Sequence, residues 1–355
     1  MSSPFDRDVW AIFGMPLDNV TLDGAARLIE RAVETRTRLS FVTPNVNWMV
    51  RALKNDHALR QVINADLSLP DGAPVVWLAR QLGMPLKERV AGADLFERLR
   101  TDGSEAALPI RIFFFGGRDG AAEAAHDTLE REQGRLIAAG WHNPGFGDVE
   151  SMSSAEIREK INQAKPDFVI VSLGAAKGQD WIERNQSELD APVIAHLGAV
   201  VDFVAGSVRR APGWVSRLGL EWAWRICAEP ALWKRYWSDG KDLLAIIHGN
   251  LGPLKKASRP KRDVQPIEAA FNGSALSLSG DLVVETRNGL RESLALAAEK
   301  PSDCQLDLTS VQTIDASALG QLRMLEQSLA RRGNRLEILP STEIEPALQA
   351  ARMTL

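Results

Sequence analysis

The stretch LSLPDGAPVV, residues 67–76, places Asp71 directly after a proline at what reads as the carboxyl end of a strand, with Gly72 next. Open α/β proteins keep catalytic groups at this position, and a carboxylate in a partly closed cleft can be tuned to take a proton as a general base. A Pro-Asp-Gly turn is also an ordinary way to end a strand, so Asp71 reads as chemistry or as punctuation. Thr43, Asn45 and Asn47 follow the apolar stretch LSFV, and KERVAGADLFERL (87–99) supplies Arg89 and Asp94 around a loop at Gly92. Each alone fits a polar surface loop. Together, at presumed strand ends, they describe a cleft.

Glycine turns add to that cleft. FFFGGRDGAAEAA (113–125) sets Gly116 and Gly117 between a buried strand and a helix, where backbone can approach a phosphate and the helix N-terminus favours negative charge. VSLGAAKGQ (171–179) repeats the device at Gly174, and HLGAVVDFVAG (196–206), which contains Asp202, repeats it again. There is no full GxGxxG, no Walker lysine, and no acidic ribose ligand placed as a nicotinamide enzyme requires, which disfavours that reading. Cys227 and Cys304 form no CxxC, and the five histidines show no HxxxH or HxH spacing. Neither a disulfide framework nor a metal site is expected.

These groups need strands to hold them and helices to cover the strands. LSFVTP, LSLP, RIFFFGG, LIAAGW, DFVIVSLG and PVIAHLG read as strands. NWMVRALKNDHALRQVINA, APVVWLARQLG, DGAAEAAHDTLEREQG, SSAEIREKINQA (opened by a capping box) and QDWIERNQSEL read as helices. The alternation predicts an α/β domain with a parallel sheet and covering helices. From about 207 to 250 the pattern turns helical and aromatic. NLGPLKKASRPKRDVQP (250–266) reads as a linker. After it, SALSLSGDL (a strand pair or a bent strand), CQLDLTSV and NRLEIL are strands, with three helical stretches between and after them. The expected organisation is an α/β core at 1–206, a Trp/Arg-rich helical appendage at 207–250, a linker at 251–263 and a small α/β domain at 264–355. A chain of 355 residues, 45% hydrophobic and 25% charged, suits two soluble domains.

The net charge of −4 is unevenly spread. Residues 209–262 hold twelve Lys/Arg against four Asp/Glu, together with Trp214, Trp222, Trp224, Trp233 and Trp237. Basic residues mixed with interfacial aromatics suit an anionic membrane surface. Nucleic acid and a helix with a solvated face are the competing readings. The start MSSPFDRDVWAIFG shows no signal segment, and no apolar run approaches the ~18 residues of a membrane span. A cytoplasmic location is expected.

From about residue 10 to 248 the chain resembles the WecG/TagA/CpsF glycosyltransferases. The likeness is carried by TPNVN, LPDGAPVVWLARQLGMPLKERVAGADL, FFFGG, LGAVVDFVAG and RRAPGWVSRLGLEWAWRICAEP. It implies a Rossmann-like, two-halved enzyme that moves a sugar, commonly of the N-acetylmannosamine type, from a UDP donor to a polyprenyl-diphosphate-linked acceptor with inversion. Neither metal nor cofactor is implied, and the work is done peripherally at the inner face of the cytoplasmic membrane for surface polysaccharide synthesis. The resemblance makes Asp71 the base, with Thr43, Asn45 and Arg89 beside it, and the glycine turn at Gly174 matches; Gly92, Asp94, Gly116, Gly117, Gly174 and Asp202, at the strand-end loops, are expected to bind substrate. Where the family shows GxPKQE this chain has GAAKGQD: the family glutamine falls on Gly178 and the glutamate on Gln179. Either Gln179 takes over the contact or donor choice differs. The appendage is implied to dock on the membrane, not on nucleic acid, and to bring Arg210, Arg225 and Arg235 to a departing diphosphate. A further family arginine falls on Leu232.

LDLTSVQTIDASALGQL (306–322) resembles a STAS domain, which implies a protein partner. Ser317, near the helix start after Asp315, reads either as a phosphorylation switch or as a plain N-cap; the family glycine after it is Ala318. Residues 264–355 contain no histidine, so this domain is expected to tune or localise the enzyme without entering its chemistry. A STAS-based regulatory protein with a degenerate transferase half is the alternative from another class.

Overall fold

The computed structural model describes residues 4–101, 108–208, 210–212, 215, 221–228, 230–259 and 263–353. A hairpin comes first, β1 (Val9–Ile12) pairing antiparallel with β2 (Met15–Asp18). It is not anticipated from sequence, because VWAIFGMPLD is buried throughout and shows no alternation. Then β3 (Leu39–Val42), β4 (Leu67–Ser68), β5 (Ile110–Gly116), β6 (Leu136–His142), β7 (Phe168–Ser172) and β8 (Val193–His196) form one parallel sheet in the order β4-β3-β8-β7-β5-β6. The two halves are thus one continuous sheet. The order in which strands are added reverses beside β3, and a crevice opens there at the carboxyl ends of the strands.

The central strand shows why the sequence folds this way. Ile112 and Phe114 of β5 enter one core layer, Phe113 and Phe115 the other, so a strand covered on both faces is apolar at successive positions. On the second face Trp181 stacks on Phe115 at 4.1 Å between ring centroids and donates its Nε1 hydrogen to Met152 O at 2.7 Å.

Several expected elements differ in detail. The stretch 47–65 is two helices, Val46–Lys54 and Asp56–Asn64, because Asn55 is extended and its side chain caps the second by accepting from His57 N at 2.8 Å. The capping box at SSAE is a single cap, Ser154 Oγ accepting from Ile157 N. Helix Ala175–Asn185 starts four residues ahead of QDWIERNQSEL, which draws Gly178 and Gln179 into its first turns. The expected linker is largely helix. Trp233–Ala257 is a single helix that runs through Gly249, Gly252 and Pro253, since Leu254 and Ala257 are buried in the core beyond and that burial outweighs the breakers.

The C-terminal unit has strands β9 (Glu268–Asn272), β10 (Ala275–Leu282), β11 (Cys304–Ile314) and β12 (Leu336–Pro340) in the order β12-β11-β10-β9. Only the β9–β10 pair is antiparallel among these neighbours. SALSLSGDL is the bent strand β10, its register shifting twice against β11. Helix Ala316–Ala330 lies on the β1–β2 hairpin, and one apolar core joins Val9, Trp10, Ile12 and Phe13 to Leu319, Leu322 and Leu325. Gly320 sits so close that a Cβ there would come 2.3 Å from Val9 O. The helix cap is Asp315, accepting from Ala318 N at 2.9 Å. Ser317 is therefore neither the cap nor an accessible hydroxyl, being 0% exposed inside the first turn.

Candidate active site

Two cavities meet at Asp71. The larger, about 830 Å3, lies over the carboxyl ends of the strands and is lined by Thr43, Gly92, Gly117, Gly174, His196 and Asp202 among others. The smaller, about 560 Å3, is mainly apolar and runs between the Asp71 turn and the appendage helices Glu221–Ala228 and Trp233–Ala257, past Pro74, Trp222, Ile226, Trp233, Tyr236 and Leu243. Asn45, Asn47, Asp71, Glu221, Arg225 and Arg235 border both.

The turn that carries Asp71 is clasped on both sides. Asp71 N donates to Pro44 O at 3.0 Å, and Val90 N donates to Pro70 O at 2.9 Å. Gly72, at φ +91°, then starts helix Ala73–Gln81 in a conformation that a side chain would resist. Burial pushes the Asp71 carboxyl up; Arg89 opposes this, Glu221 and Asp94 add to the rise, Arg225 opposes it again, and the balance is a pKa of about 7. Arg89 lies beside it but is engaged elsewhere: Nη2 meets Asp94 Oδ2 at 2.5 Å and Nη1 meets Glu221 Oε2 at 2.8 Å, against 4.0 Å to Asp71 Oδ1.

Among the remaining sequence candidates, Asn45 caps helix Val46–Lys54 through Trp48 N at 3.2 Å while facing both cavities. Thr43 lies against Gly92, and a Cβ on Gly92 would come 2.5 Å from Leu197 Cδ2, so the helix Gly92–Thr101 approaches the sheet only because this residue is glycine. Asp202 lines the larger cavity, 3.8 Å from Arg118 Nε. Arg225 and Arg235 reach the cleft from the appendage, Arg235 lying over the Tyr236 ring. Asp94 stands behind the cavity walls, where it binds both Arg89 and Arg210. Arg210 is exposed and does not line either cavity. Gly116 is set back from the wall, and Gln179 is buried within its helix, 4% exposed, away from both cavities. Trp214 lies outside the described residues.

His196, Glu221, Asp239 and Arg118 were missed. His196 ends β8, and the same strand-end rule that found Asp71 would have found it. Its ring occupies the space over Gly178, where a Cβ would come 2.2 Å from Cδ2. Burial, aided by Arg51, lowers its pKa to about 4, so it is neutral at physiological pH, with Nε2 buried and without a hydrogen-bond partner among the described residues. Asp239, 9% exposed, accepts from Asn47 Nδ2 at 3.1 Å and ties the appendage to the sheet side of the cleft. Glu221 and Asp239 are two of the four acids in an otherwise basic segment, and Glu221 also lies in RRAPGWVSRLGLEWAWRICAEP, one of the stretches that carry the resemblance.

A crevice at the switch point of a parallel sheet, with one carboxylate titrating near neutrality and guanidinium groups opposite, suits transfer of a group away from a phosphate. The family model described as "Glycosyl transferase WecG/TagA/CpsF family" matches residues 10–253, and the chain belongs to this glycosyltransferase family. A second model, described as "Mlab, STAS domain", matches residues 267–351. Among curated relatives, the N-acetylglucosaminyldiphosphoundecaprenol N-acetyl-beta-D-mannosaminyltransferase of Bacillus spizizenii is 32% identical over 207 residues, 58% of this chain and 78% of its own length. Proteins of the same name from Bacillus subtilis (28% over 225 residues, 63% and 84%) and Staphylococcus aureus (26% over 232 residues, 63% and 85%) are also similar.

Proposed function

We propose that this transferase moves N-acetylmannosamine from a UDP donor to a polyprenyl-diphosphate-linked N-acetylglucosamine, with inversion, in surface polysaccharide synthesis. The observation that carries the reading is the place of Asp71, at the border of a polar and an apolar cavity with a carboxyl pKa of about 7. The larger cavity suits the donor: helix N-termini after β5 and β7 favour its diphosphate, and Arg118, Arg225 and Arg235 offer counter-charge without a metal. The smaller cavity suits the isoprenoid end of the acceptor. Asp71 takes the proton of the acceptor hydroxyl as the new C1–O bond forms and the C1–O bond to UDP breaks on the opposite face; it then returns the proton to solvent.

Membrane access follows from the same wall. Trp222, Trp233 and Trp237 border the smaller cavity and are 48%, 52% and 66% exposed, beside the exposed Lys234 and Arg235. This surface suits peripheral docking on the anionic inner face of the cytoplasmic membrane. Among the described residues no helix is long and apolar enough to cross it. The deciding experiment offers purified protein a panel of UDP-sugars with a polyprenyl-diphosphate-N-acetylglucosamine analogue, with and without chelator. Chelator-insensitive transfer of N-acetylmannosamine with inverted anomeric configuration is expected; no transfer from any donor would overturn the reading.

A further inference from the structure

Helix Ala316–Ala330 presents a closely fitted surface to the β1–β2 hairpin and to the end of helix Asp56–Asn64. Beside the close approach at Gly320, Arg323 is 1% exposed, with Nε donating to Gly14 O at 2.9 Å and Nη2 to Ala351 O at 2.8 Å. Gln327 Nε2 donates to Ala65 O at 3.0 Å. At the margins Arg287 Nη2 donates to Val9 O at 2.9 Å, Arg291 Nη2 to Arg7 O at 2.7 Å, and Arg331 Nη2 to Asn64 O at 3.0 Å and Asp66 Oδ1 at 2.7 Å. Arg352 reaches Leu53 O and Asp56. A buried guanidinium stripped of such acceptors is strongly destabilising. The hairpin needs the contact as much, because a lone two-stranded hairpin is marginal in water and all eight residues of β1 and β2 are buried here.

Two lines of contact lead from this interface to Asp71. β2 ends at Asp18, 1% exposed, whose Oδ2 accepts from Ser68 N at 2.7 Å, and Ser68 closes β4 just ahead of the Leu69-Pro70-Asp71 turn. On the other side, helix Glu345–Ala350 packs against Trp233–Ala257, the helix that carries Arg235 into the cleft and holds Asn47 through Asp239. We infer that the C-terminal unit is a clamp whose partner is the transferase half of its own chain, and that it positions the Asp71 turn and the Arg235 helix for transfer. The hydroxyl of Ser317, 0% exposed in this helix, is closed to modification while the clamp is in place.

The catalytic part of this inference rests on the transfer reading, so the test has a readout independent of it. Arg331 and Arg352 are 41% and 31% exposed in their side chains, and the full-length double variant Arg331→Ala/Arg352→Ala trims the margin of the interface, not its centre. Where that protein does not fold, Arg331→Ala alone serves. Hydrogen exchange should quicken in residues 9–18, 66–71 and 233–257, and the matching Lys substitutions should restore part of the protection. In the transfer assay kcat should fall about ten- to a hundredfold, the cost of a slightly misplaced catalytic group, while KM for the UDP-sugar stays within about twofold, as expected when ground-state binding is untouched. Unchanged exchange at 66–71 and 233–257 would overturn the clamp, as would an unchanged kcat beside faster exchange. If the wild type transfers no sugar, the transfer reading fails by itself and exchange alone judges the clamp.

Discussion

The two walls of the cleft are held in place by different means. The sheet wall hangs its polar groups on strand ends whose residues are almost wholly buried, Phe114, Phe115, Ile170 and Val171 being 0% exposed. Close packing at interior density fixes such backbone without further help. The appendage wall depends on helix Trp233–Ala257, in whose 25 residues only Asp239, Leu254 and Ala257 are buried. A helix with so little apolar burial takes its position from neighbours, here the Asn47–Asp239 hydrogen bond and the C-terminal unit. One wall is rigid by its own composition; the other is rigid by attachment. Chemistry should therefore fail most when the sheet wall loses a reacting group, and more gently when the appendage loses one.

The sharpest test is Asp71→Asn, which keeps the shape of the turn and removes the base. Turnover should fall by about 10²- to 10⁴-fold with UDP affinity retained, as measured by steady-state kinetics beside calorimetry. In the wild type the rate should rise as pH passes through about 7, because Asp71 must be ionised to act. The stability sign runs the other way: a carboxyl whose folded pKa is raised contributes stability at acid pH that is lost as pH rises through about 7. Asp71→Asn should thus melt no lower than the wild type at pH 8. A near-normal rate in the folded variant would leave Asp71 as the end of a strand and nothing more.

On the appendage wall, Arg225→Ala removes a guanidinium that borders both cavities. A loss of about 10²-fold in kcat is expected, the scale for one preorganised donor on developing charge. A loss as deep as that of Asp71→Asn would erase the distinction between the walls. The smallest effect belongs to the outer face. Trp233→Ser/Trp237→Ser should weaken binding to anionic vesicles by roughly tenfold, as the loss of ~1.5 kcal/mol of apolar burial implies, and leave thermal stability within a degree or two. Salt should weaken vesicle binding by the wild type as the screening length shortens to about 3 Å at 1 M. Vesicle binding unmoved by both would place membrane contact elsewhere on the molecule.

What was legible in the sequence follows the same division. The β/α alternation and the strand-end groups Asp71, Thr43, Asn45 and Gly174 could be read because each is set by local periodicity and turn chemistry. Asp94, Arg210 and Gln179 shared the same motifs yet stand behind or beside the cavities, since a motif says which turn a residue occupies and not which way it faces. Glu221 and Asp239 could not be placed, because their partners Arg89 and Asn47 lie 132 and 192 residues away. The linker was misread for a related reason: Gly249, Gly252 and Pro253 are breakers locally, and the burial of Leu254 and Ala257 that overrides them is tertiary. His196 and Arg118, at the ends of β8 and β5, were missed where local reasoning would have sufficed.

Arg323 and Gly14, joined in the clamp, are 309 residues apart in the chain. On the ribosome that separation is a time. At roughly 5–20 residues per second, the hairpin is made ~15–60 s before the helix that covers it. Throughout that interval Val9, Trp10, Ile12 and Phe13 are without their cover, and their exposed edges and rings invite pairing with other nascent chains. The hairpin, made 309 residues before Arg323, is therefore among the last segments to be secured. Yield from a cell should accordingly depend on how fast translation reaches residue 330 and on which chaperone holds the hairpin until it does.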